Sequence, residues 1–102
     1  MLEERIIVAK RLVFPYKCQR CDGLSYVEYR EPEQDRVWTT LRCKNSEKPI
    51  LQIQNDITHH GRSFRIWDVI RGKYVLGDKR RFESKEAFEN WVAAQGGRRV
   101  ED

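Results

Sequence analysis

Three cysteines and two histidines are the residues of this 102-residue chain whose types and spacing suit chemistry. Cys18 and Cys21 stand two residues apart, just ahead of Asp22-Gly23, and Cys43 closes a later segment rich in Val, Trp and Thr. Two sulfurs at that spacing on a tight turn can point at one ion, and a chain that returns beside them can bring further ligands. His59 and His60 are adjacent instead of one helical turn apart, and no carboxylate is placed beside them as a base, so a catalytic metal is not expected.

The stretch from Cys18-x2-Cys21 to Cys43-Lys44-Asn45-Ser46 resembles a zinc ribbon over about residues 16–48: a knuckle, a hairpin and a second knuckle. The resemblance implies a structural Zn²⁺ held by four cysteines, in a protein that touches nucleic acid or the transcription and translation machinery. The second knuckle departs from the pattern, because Ser46 stands where the fourth cysteine belongs and a serine hydroxyl does not ionise near neutral pH. The expected metal set is therefore Cys18, Cys21, Cys43 and His59, with His60 or an open position filled by water as the alternatives for the fourth ligand. The competing expectation is that no ion binds. Cys18 and Cys21 are then ordinary thiols, Cys43 is a small buried apolar residue, and Tyr16, Leu24, Trp38 and Leu41 pack in place of the metal.

The second feature is charge. The formal net charge is +4, which by itself separates no class of partner from another, but its distribution is uneven. Residues 1–60 carry ten Lys/Arg against nine Asp/Glu, whereas residues 62–81 carry seven cations against Asp68 and Asp78. Lysines and arginines on one ribbon neutralise phosphates, and an aromatic among them stacks on bases. Arg62, Arg65, Trp67, Arg71, Lys73, Lys79, Arg80 and Arg81 are the expected nucleic-acid contacts, to DNA or RNA. Such cations also occur on solvated strands, where they discourage edge-to-edge aggregation.

The elements that must position these residues read as short strands followed by one helix. Ile6–Phe14 is apolar and β-branched enough for a first strand, with a short helix as the alternative, and Pro15 ends it. Leu24–Arg30 alternates, Arg36–Cys43 is rich in Val, Trp and Thr, and the two are expected to pair as a hairpin across the polar loop 31–35. Ile50–Gln54 is a half-buried strand, and Asn55 to Gly61 reads as turn. In Ser63–Ile70, Phe64, Ile66, Asp68 and Ile70 share one face; the other face continues as Arg65, Trp67, Val69, Lys73 and Val75. Lys79–Phe82 is a short last strand. Ser84 is a natural N-cap with Glu86 in the first turn. Phe88, Trp91, Val92 and Gln95 follow helical spacing, Gly96-Gly97 ends the helix, and 98–102 are expected to fray. The fold class is α+β: a mostly antiparallel sheet with one C-terminal helix packed on it. It forms one domain over 1–102, with the ribbon-like hairpin at 16–48 and a three-stranded sheet plus helix at 50–97.

Several function classes are not expected. The apolar run Ile6–Ala9 is too short for an export signal, nothing approaches a membrane span, and three cysteines do not suggest a disulfide framework. These place the chain in the cytoplasm. No phosphate loop, nucleophile elbow or His-Glu-x-x-His helix is present, so no enzyme is expected. The expectation is a small macromolecule-binding protein that contacts nucleic acid through a basic β-hairpin. The alternative is a protein-interaction module, an adaptor or inhibitor of the kind viruses also encode, docking on a larger complex.

Overall fold

The computed structural model describes residues 10–17, 24–59 and 61–101. Among them the α+β expectation holds. In chain order the elements are β1 (Lys10–Lys17), β2 (Leu24–Arg30), β3 (Trp38–Arg42), β4 (Pro49–Thr58), β5 (Gly61–Asp68), β6 (Lys73–Tyr74), a 3-10 turn (Gly77–Lys79), α1 (Lys85–Ala94) and β7 (Arg98–Glu101). They build two antiparallel sheets, of order β2-β1-β7 and β3-β4-β5-β6.

The expected hairpin of 24–30 with 36–43 does not form as a ladder: β2 pairs with β1, and β3 pairs with β4. The cause is apolar register. Against β1, Tyr29 meets Leu12 and Val27 meets Phe14, so four large side chains share one buried face. In β3, Leu41 is the fully buried residue, and it finds Leu51 of β4. Pro15 does not end β1. It pairs with Tyr26, and β7 reaches no further along β1 than Val13, so β1 is an edge on that side by Pro15, where a missing N–H is tolerated. Residues 98–101 are paired with β1 and are not frayed; Arg99 also bonds Glu89 of α1 at 2.5 Å.

Both sheets and the helix share one core. Ser84 Oγ accepts the Ala87 N–H at 3.0 Å, which is the expected N-cap. Phe88 then stacks on Phe64 with ring centres 4.3 Å apart and meets Tyr29 edge-on at 5.7 Å. Trp91 packs against Phe14 and Phe82 at 5.5 and 5.7 Å. The helix ends where Gly96 takes a positive φ of 86° and Gly97 N–H donates to Val92 O. Thus α1 covers the face of the four-stranded sheet that carries Ile53, Phe64 and Ile66, and leaves the opposite face uncovered. Strand β4 also runs four residues past its expected end, with Asn55 pointing into the core opposite Phe64.

Candidate nucleic-acid interface

Directly opposed residues of an antiparallel pair lie on the same face of a sheet, so the register fixes what the uncovered face displays. One row across the strands is Trp38–Gln54–Arg65, and the next is Thr40–Gln52–Trp67–Tyr74. Trp38 is 39% exposed, and Arg65, Trp67 and Tyr74 are half-buried by one another and their neighbours. Trp67 meets Tyr74 edge-to-face at 4.9 Å, and the Arg80 guanidinium lies 5.9 Å from the centre of the Tyr74 ring. The glutamines between the aromatics are oriented: Gln52 Nε2 donates to Thr40 Oγ1 at 3.4 Å and Gln54 Nε2 to Arg36 O at 3.2 Å. The face therefore combines three aromatic rings, amides and guanidinium groups. Its acid, Asp56, is paired with Arg36 at 3.2 Å.

Of the eight residues expected to contact nucleic acid, Arg65 and Trp67 lie on this face and Arg80 borders it. Arg62 is turned to the acidic loop, where it bonds Glu31 at 3.2 Å and Asp35 at 2.7 Å; Lys85 joins Glu31 at 3.4 Å. Arg62 ties that loop to the sheet and does not lie on the face that carries Arg65 and Trp67. Lys79 is exposed in the 3-10 turn, and Arg81 is half-buried beside Phe82. Lys73 and Val75 do not continue the face of Arg65 and Trp67. Strand β5 stops at Asp68, the turn 69–72 intervenes, and the register then puts Tyr74 beside Trp67 and Lys73 beside Asp68. Tyr74 lies within the basic stretch, whereas Trp38, Gln52 and Gln54 share this face from outside it. The alternation of Gln52 and Gln54 with Leu51 and Ile53 is the available signal, but it does not disclose their neighbours across the sheet.

Arg71 lies on the other side of β6, in a compact polar knot. Tyr16 Oη donates to Asp68 Oδ2 at 2.8 Å, Arg71 Nη1 donates to the same oxygen at 2.7 Å, and the Arg71 backbone N–H reaches Oδ1 at 2.9 Å. Burial disfavours the Asp68 carboxylate, yet these donors outweigh it and hold the carboxyl below its ordinary range. Burial and the bond to Asp68 push the Tyr16 phenol up to about 12.

Cys43 is 1% exposed and closes a tight turn, its N–H bonded to Lys48 O at 2.9 Å. Hydrogen bonds from the side chains of Ser25 and Ser46 outweigh desolvation and pull its thiol down to about 6, with the Ser46 N–H 3.3 Å from Sγ. His59 is set apart from Cys43 in the structure. It sits beyond Thr58, while Cys43 bonds to the residue just before Pro49, so the whole ten-residue β4 separates them, about 30 Å at strand rise. Cys18, Cys21 and His60 lie outside the described residues, and among the described residues no three His, Cys, Asp or Glu side chains cluster as a metal site.

No protein family, curated protein or solved structure matches the chain. Among the described residues no helix is long and apolar enough to cross a membrane.

Proposed function

We propose that the protein binds single-stranded nucleic acid across the uncovered face of β3-β4-β5-β6. The observation that carries the reading is the register that sets Trp38, Trp67 and Tyr74 on one face with Arg65, Arg80 and two oriented glutamines. Stacking on aromatics is tolerant of base identity because every base has a π-face, and arginines between the rings meet the phosphates. Single strands are favoured over duplex by width. Four strands at about 4.8 Å spacing make a platform roughly 14 Å across before side chains, broader than the two-stranded ribbon that a major groove of about 12 Å admits.

The test is fluorescence anisotropy of labelled 12-nucleotide DNA and RNA strands, and of the same sequences as duplex, from 50 to 200 mM salt. Single strands should bind more tightly than duplex, with affinity falling as salt rises. Absence of binding at 50 mM salt ends the proposal, and a stoichiometric protein partner recovered under those conditions supports the adaptor alternative.

A further inference from the structure

The Tyr16–Asp68–Arg71 knot, with Lys73, Tyr74 and Trp91, lines an open cleft of about 590 Å³. That volume lies within the range of small-ligand sites. The Asp68 side chain is 3% exposed and its oxygens are covered by Arg71 and Tyr16, so it orients Arg71 and presents little of itself to the cleft. The Arg71 guanidinium is 38% exposed and commits Nη1 to Asp68, which leaves N–H donors of its fork for a ligand. Lys73 is exposed and makes no ion pair among the described residues. The accessible charges are thus two cations beside aromatic walls. Tyr74 belongs both to this cleft and to the aromatic row with Trp67, and β6, the strand between the two surfaces, is two residues long.

We propose that the cleft takes the phosphorylated end of the strand that crosses the outer face, with the terminal phosphomonoester on Arg71 and Lys73 and its base against Trp91 and Tyr74. This rests on the single-strand reading and adds the identity of the strand's end. A monoester carries a charge of about −1.5 to −2 at neutral pH, against −1 for an internal diester, so two cations lining one cleft favour an end. The planar fork of Arg71, preset by a buried carboxylate, suits phosphate oxygens.

The experiment compares 10-nucleotide strands ending in hydroxyl or in phosphate, at the 5′ end in one series and the 3′ end in another, each labelled at the opposite end. In the unaltered protein one phosphorylated end should bind on the order of tenfold more tightly than its hydroxyl counterpart. Lys73→Gln and Arg71→Lys should each reduce that gain while leaving the affinity for hydroxyl-ended strands near its original value. Arg71→Lys keeps a cation beside Asp68, and Lys73 is a surface residue, so neither variant strips the buried carboxylate of its partner. Equal binding of phosphate and hydroxyl ends, or a gain that persists in both variants, overturns the proposal. If no strand of any kind binds, the outer-face reading has failed, and the cleft is then judged by nucleoside monophosphate against nucleoside, read by tryptophan fluorescence. Discrimination for the phosphate supports the cleft, and its absence overturns it.

Discussion

Replacing Trp67 with alanine separates stacking from charge. Trp67 lies between Gln52 and Tyr74 on the outer face, half-buried, and the variant removes its edge-to-face packing on Tyr74 at 4.9 Å together with the area its ring buries. Such a pair contributes about 0.5–1.5 kcal/mol beyond area burial, less than the roughly 5–15 kcal/mol that stabilises an ordinary domain. The variant should remain folded, with a somewhat lower melting temperature. Loss of one stacked base costs about 1–3 kcal/mol of binding, or roughly 5- to 140-fold in affinity. Tryptophan neutralises no phosphate, so the slope of log affinity against log salt should not change. Arg65→Gln should do the converse: a smaller affinity loss at high salt and a slope shallower by about 0.7 for each phosphate that is no longer neutralised. Anisotropy titrations at four salt concentrations read both quantities. Unchanged affinity in Trp67→Ala, with circular dichroism showing an intact fold, would refute stacking on this face; a changed slope would refute the assignment of roles.

Other expectations concern the scaffold. Asn55 is fully buried and its amide nitrogen and oxygen make no hydrogen bond among the described residues; an unmet buried group costs about 1–3 kcal/mol, so Asn55→Val should raise the urea midpoint. A lower midpoint would show that the amide is satisfied in solution. Gly97→Ala should destabilise by about 1–3 kcal/mol, because a Cβ there would collide with Phe14 Cβ and Val92 Cγ1, and a calorimetric melting temperature checks it. The Cys43 thiol lies at about 6 in the fold against 9.0 for an unperturbed thiol. Between those values the unfolded chain binds the extra proton, so stability should rise with pH over that window and the contribution should be lost as pH falls through about 6. Comparing urea midpoints of the unaltered protein and Cys43→Ala from pH 5 to 9 measures this; a difference independent of pH would count against a stabilised thiolate.

Local chemistry was legible in the chain wherever a residue acts on near neighbours. The Ser84 cap, the helical stripe of Phe88, Trp91 and Val92, the glycine stop, and the alternation of Phe64, Ile66 and Asp68 each depend on spacing within one or two turns, and each stands in the structure. Local signals also misled. Pro15 reads as a strand end because nothing nearby reveals that β7 stops short of it. Asn55-Asp56 reads as turn because polarity does not disclose that Thr58 pairs with Gly61 and the strand continues.

Partnership between distant segments was decided by tertiary structure. Arg-Arg-Val-Glu at 98–101 has no strand signal of its own and becomes β7 because β1 offers an open ladder and Glu89 a counter-charge. The candidate interface is of the same kind. A basic stretch is visible in the sequence, but Arg62 is bonded to an acidic loop 27 residues away and Arg71 is oriented by Asp68, while Trp38 comes to share a face with Arg65 and Trp67 across β4. Side-chain period determines which residues share a face within a strand. Which strands lie side by side follows from the burial of Leu12, Phe14, Val27 and Tyr29 together, a balance over the whole core that no short window of sequence contains.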